Sequence, residues 1–165
     1  MNIDEIAQNI QLLESPLTIG IEGASGSGKT TLGRELADRL SIEFVDLDSF
    51  VISSDEPVPY ITQVDIESLQ ARITKLIDSN RSFIILGICL RDVIAMIPVT
   101  IGICIYVKKV SSPRLWHFGF DMELYGTESE GLEIYEYEPY KSDMKYHQTV
   151  QPHINSELIY EYVAD

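Results

Sequence analysis

The chain is short of cysteine, of cations and of long apolar runs. Its two cysteines in 165 residues, Cys89 and Cys104, lie inside apolar stretches with no CxxC partner. That excludes a disulfide framework and predicts two core thiols. Twelve Lys and Arg stand against twenty-six Asp and Glu, a formal net charge of −14. Neutralising the phosphates of a nucleic acid needs a basic face, so no nucleic-acid partner is expected. No apolar run approaches the roughly 18 to 20 residues that span a bilayer, and Asp4 and Glu5 stand where a signal peptide would be basic. The expectation is no membrane contact and a cytoplasmic location. The three histidines, His117, His147 and His153, lack metal-ligand spacing and read as structural or surface groups.

What remains is 45% hydrophobic and 23% charged, the composition of an ordinary globular domain. A chain of this length buries roughly 70% of its unfolded surface and needs no staple, so one domain over residues 1–165 is expected. Its pattern alternates. Ile3, Ile6, Ile10 and Leu13 mark an amphipathic helix over residues 4–13, ending before Ser15-Pro16. A strand over 17–21, a helix over 29–40 and a strand over 43–46 follow. Pro57 and Pro59 argue for a loop over 47–64, after which Asp65 can cap a helix carrying Ile66, Leu69, Ile73, Leu76 and Ile77. Strands over 82–86 and 100–107 flank Gly87 and a short helix through residues 93–97. A helical turn from Tyr146 and a strand over 158–163 end the chain. Apolar runs such as Phe83-Ile84-Ile85-Leu86 predict strands covered on both faces, hence an α/β sandwich of three layers around about five parallel strands.

Between the first strand and the second helix stands Gly23-Ala24-Ser25-Gly26-Ser27-Gly28-Lys29-Thr30, which satisfies GxxxxGK[ST] without a mismatch. Successive glycines let backbone N–H groups converge on one concavity at a positive helix end, which suits a phosphate. The pattern predicts ATP held by these residues and Thr31, with Lys29 reaching the β- and γ-phosphates and the Thr30 hydroxyl on Mg²⁺. A backbone nest and one Lys suffice locally against the negative global charge.

The same residues, continued by Thr31-Leu32, resemble the opening of small-molecule P-loop kinases of the uridine kinase group. Asp48-Ser49-Phe50 is similar to that group's DSFY segment, and Tyr146-His147 followed by Pro152 and a strand is similar to its C-terminal pattern. Leu32-Gly33-Arg34-Glu35-Leu36-Ala37 and the Asp46-Leu47-Asp48 pair also look like shikimate kinases. The resemblance implies the P-loop NTPase fold with strand order 2-3-1-4-5. It makes Asp48 the base facing the acceptor hydroxyl and puts Asp46 near the metal. For each the alternative is a solvated loop or capping acid.

Three departures stand out. The third core strand ends in Gly87, where uridine kinases carry an acid; Asp92 could substitute, or simply start a helix. The segment around 108–141, expected as a mobile lid or acidic insertion, offers few cations. There Arg114, beside Trp116 and His117, is the lid candidate; Arg91 is a candidate substrate or phosphate contact, and either could instead be a surface arginine. Residues 121–138 hold seven acids and no Lys or Arg, a solvated flap or helix face, or else a contact for a cationic partner. Phe50 and Tyr60 would line the acceptor pocket or belong to the core. The implied activity is ATP- and Mg²⁺-dependent transfer of the γ-phosphoryl group to a hydroxyl of a small metabolite, a nucleoside first. A shikimate kinase-like acceptor or a non-catalytic nucleotide-binding regulator are the alternatives, in a monomer or homodimer.

Overall fold

The computed structural model describes residues 1–52, 57–112, 114–127 and 131–164. Among them, strands β1 (Thr18–Glu22), β2 (Glu43–Asp46), β3 (Phe83–Leu86), β4 (Ile103–Ser111), β5 (Leu115–Trp116) and β6 (Leu158–Val163) form one sheet. Five are parallel, in the order β2-β3-β1-β4-β6. With the final strand counted fifth, this is the expected 2-3-1-4-5. The two-residue β5 was not foreseen; it turns back antiparallel on the end of β4.

The helices are α1 (Ile3–Gln11), α2 (Lys29–Leu40), α3 (Tyr60–Gln63), α4 (Ile66–Asp78), α5 (Leu90–Ile94), α6 (His117–Leu124), α7 (Tyr140–Val150) and α8 (Pro152–Asn155). Side-chain alternation along the strands divides the interior in two. Ile84 and Leu86 join Ile19, Ile21, Ile105 and Val107 under α1 and α2, while Phe83 and Ile85 join Leu69, Ile73, Leu90 and Val93 under α4 and α5. A strand with both faces covered must be apolar at every position, which is why β3 reads as an unbroken run. Local signals fix the helix starts. Asn2 Oδ1 accepts from Glu5 N while the Glu5 carboxylate accepts from Asn2 N, and Asp65 Oδ1 accepts from Ser68 N at 3.0 Å as expected of a cap.

Several boundaries differ from the sequence reading. The stretch expected as a loop over 47–64 contains a 3-10 turn at Leu47–Phe50 and the single turn of α3; residues 53–56 lie outside the described residues. β4 runs to Ser111 because β6 pairs with Lys108, Lys109 and Val110 and supplies hydrogen bonds that a polar sequence alone does not announce. α7 starts six residues before Tyr146. Both cysteines are free and buried, and burial pushes the Cys89 thiol up and Cys104 to about 12. In the acidic stretch, Glu128 and Glu130 lie outside the described residues. Asp121, on α6, accepts a hydrogen bond from the buried Tyr135 hydroxyl at 2.6 Å, so that part of the stretch is packed. No helix among the described residues is long and apolar enough to cross a membrane.

Candidate active site at the P-loop

β1 ends at the centre of the sheet and the chain turns through residues 23–28 into α2, so the loop sits at the carboxyl edge of the parallel strands, where such sheets place ligands. Two glycines are obligatory for the turn. A Cβ on Gly23 would stand 2.6 Å from the Val107 carbonyl oxygen. Gly28 holds φ +98° just before α2, a left-handed conformation that side chains disfavour. Gly26 has open space around it, room for a ligand to approach the backbone.

Lys29 is only 8% exposed, and its ammonium donates to Ala24 O at 2.8 Å. Desolvation lowers its proton affinity, and Asp143, Asp48 and Asp46 oppose that. Thr30 Oγ1 donates to Asp46 Oδ2 at 2.9 Å. Asp46 Oδ1 accepts from Asp48 N at 3.1 Å, and Tyr60 Oη donates to Asp48 Oδ1 at 3.3 Å. Burial first, and then Asp48, hold the Tyr60 phenol protonated, so it stays a donor. Asp46, Asp48 and Tyr60 line one cavity of about 340 Å³ with Ser25, Lys29 and Thr30.

Lys29, Thr30 and the backbone of Gly26 and Gly28 line the P-loop cavity, a set that fits a polyphosphate, and the buried Ser27 hydroxyl of the same loop has no protein partner. Thr30 and Asp46 supply hard oxygen ligands. Mg²⁺ is usually held by one or two carboxylates plus substrate phosphates, so it needs no preformed acidic cage, and none is found among the described residues.

Other candidates lie elsewhere. Phe50 packs into the core with α4 instead of lining the cavity. Its register in the 3-10 turn sends it inward. Arg91 is a correction of the same kind: its Nε and Nη2 donate to Glu22 Oε1 at 2.9 and 2.7 Å, so the guanidinium neutralises a carboxylate that is fully buried at the end of β1. Arg114 has an 80% exposed side chain, 3.8 Å from Glu161 on β6, away from the cavity. Trp116 and His117, its neighbours, instead line a second cavity of about 270 Å³ against Ala24, Ser25 and Ser27. Asp92 is exposed and does not line the P-loop cavity.

Gly87, the departure at the third strand, has a packing reason. A Cβ there would fall within 2.6 to 2.8 Å of three atoms of Leu47, the residue before Asp48. Gly87→Ala is therefore expected to cost about 1 to 3 kcal/mol by overpacking and to lower transfer by displacing Asp48. Urea denaturation alongside turnover checks both effects.

The sequence reading missed Glu22 and Asp143. Glu22 is bound by Tyr146 Oη at 2.7 Å and Ser156 Oγ at 2.9 Å as well as by Arg91. Asp143 reaches the P-loop from α7, and Ser25 N donates to its Oδ2 at 2.7 Å. The one available signal was the i, i+4 spacing of Asp143 and His147 on a helix.

With this geometry in hand, comparison with known proteins adds two kinds of likeness. Residues 25–79 match the shikimate kinase family model. A shikimate kinase from Halorhodospira halophila is 36% identical over 66 residues, 39% of this chain and 37% of the relative. The match thus spans little more than a third of that relative's length. Among solved structures, one from Bacillus stearothermophilus described as a possible uridine kinase superposes with a TM-score of 0.64, at 14% identity and over 96% of both chains. Another, from Silicibacter sp. TM1040 and provisionally assigned as a fructose transport system kinase, gives 0.54 at 17% identity over 97% of this chain and 99% of that one. The chain therefore has the fold of the P-loop kinases, with shikimate kinase likeness in its residues 25–79 and uridine kinase-like likeness in its overall structure.

Proposed function

We propose that the chain is a phosphotransferase that moves the γ-phosphoryl group of ATP, with Mg²⁺, to a hydroxyl of a small metabolite. The observation that carries this is the shared cavity: Asp48 faces the same space as Lys29 and Thr30, held by the Asp46 carboxylate from one side and the Tyr60 hydroxyl from the other. Residues 23–31 bind the polyphosphate, and Lys29 balances charge at its β and γ groups. Thr30 and Asp46 are the metal's protein ligands, directly or through water. The acceptor hydroxyl gives its proton to Asp48 as its oxygen bonds to the γ-phosphorus, and the bond from that phosphorus to the β–γ bridging oxygen breaks.

Charge favours the class of acceptor. Among the described residues lining the cavity, Lys29 is the sole cation; beyond the P-loop residues, the wall is Asp46, Asp48, Tyr60, Leu86, Ile88 and Pro139. A carboxylate acceptor such as shikimate would lack a partner there and meet two acids. A neutral polyhydroxyl compound, a nucleoside first, suits it better. The absence of an arginine from the cavity wall and the glycine at residue 87 also favour a second reading, a nucleotide-binding regulator without transfer. ADP release from Mg-ATP across nucleosides, sugars and shikimate separates these readings. Acceptor-dependent release with a neutral compound is expected, preference for shikimate would overturn the acceptor assignment, and binding without turnover on any acceptor would favour the regulator.

A further inference from the structure

Asp143 projects from the first turn of α7 toward the P-loop and is 1% exposed. Its Oδ2 takes the Ser25 N–H at 2.7 Å. Its Oδ1 lies 3.1 Å from His147 Nδ1, within ion-pair distance but without an aligned hydrogen bond. Ser25 adjoins Ala24, whose carbonyl marks where the Lys29 ammonium ends. Of the carboxylates that favour the charged form of Lys29, Asp143 acts most strongly, ahead of Asp48 and Asp46.

These contacts fix which part of the loop Asp143 occupies. In a P-loop the amides near the helix start cradle the α- and β-phosphates, and the Lys reaches the β- and γ-phosphates. Ser25 lies mid-loop, next to Ala24, whose carbonyl takes the ammonium of Lys29, the group that reaches the β- and γ-phosphates. A γ-phosphate and the Asp143 carboxylate are both acceptors for the Ser25 N–H, and they carry the same sign of charge. The carboxylate is also firmly held. The α7 residues around it are tied down by Tyr146 Oη on Glu22 Oε2 at 2.7 Å and by Tyr106 Oη with His147 Nε2 at 3.0 Å.

We propose that Asp143 sets the length of phosphate chain this P-loop prefers: it fills the γ end as an internal acceptor, so that a nucleoside diphosphate seats in the remaining nest while a triphosphate must displace it. The inference rests on the nucleotide-binding reading above and adds a specificity-determining residue that neither the loop motif nor the cavity lining reveals.

Calorimetric titration of ADP and of a non-hydrolysable ATP analogue, each with Mg²⁺, into wild type, Asp143→Asn and Lys29→Ala tests it. Wild type is expected to bind ADP about tenfold or more tighter than the analogue, the scale of a like-charge contact in a partly desolvated site. In Asp143→Asn the amide oxygen still accepts from Ser25. Analogue affinity then rises about tenfold or more while ADP affinity changes by less than about threefold, since only the like charge is removed. Tighter binding of the analogue than of ADP by wild type would overturn the proposal, and so would equal shifts of both ligands in Asp143→Asn. If the variant fails to fold, the wild-type ratio decides alone. Binding of neither nucleotide by wild type, or undiminished binding by Lys29→Ala, would instead bring down the nucleotide-binding reading on which the proposal stands.

Discussion

Asp48→Asn is expected to reduce phosphoryl transfer by roughly 10²- to 10⁴-fold, the range spanned by a lost general base, while leaving nucleotide affinity within about threefold. The split follows from where Asp48 is held. Its backbone N–H donates to Asp46 and its Oδ1 accepts from Tyr60, and Asn reproduces the shape and the acceptor oxygen. What Asn cannot do is take the acceptor's proton. In the proposed mechanism the nucleotide contacts come from other residues, so the ground-state complex persists and the loss falls on kcat. ADP release at saturating ATP and acceptor, with calorimetric ATP binding in parallel, measures the two separately. Retained transfer would remove Asp48 from the chemistry.

Lys29→Ala is expected to weaken ATP binding by roughly 10- to 100-fold, the worth of charge-assisted hydrogen bonds. This ammonium is buried at a net desolvation cost, against which three carboxylates act, and its hydrogen bond in the protein is to a single carbonyl. A cation held in that condition gains strongly when a polyphosphate arrives. Circular dichroism should be unchanged, because the loop is shaped by Gly23 against Val107 and by Gly28, and the substitution touches neither. Unaltered ATP affinity in a folded Lys29→Ala protein would sink the P-loop reading itself.

Much of the architecture was legible because it is written in local patterns. Apolar runs marked strands covered on both faces, the helix expected over 29–40 is α2, and the glycines with Lys29 and Thr30 marked the turn between β1 and that helix. That Asp46 and Asp48 line the same cavity as the loop was also foreseeable, since they end and follow β2 at the carboxyl edge of the same parallel sheet. Sequence left Arg91 and Phe50 between two places for a common reason. Sequence gives a side chain's chemistry but not the partner that claims it, and a buried Glu22 claimed the arginine while the core claimed the ring.

By itself, then, the sequence determined the alternating strands and helices, the glycine-rich turn before α2 and the Asp46-Asp48 spacing, because each depends on residues within a few positions of one another. The tertiary structure alone decided that Gly87 makes room for Leu47, that Glu22 is neutralised across 69 residues by Arg91, and that Asp143 reaches across 118 residues to the Ser25 amide. Such contacts form only when distant elements are brought together by burying a common core, and no local periodicity records which polar groups that burial will leave facing each other.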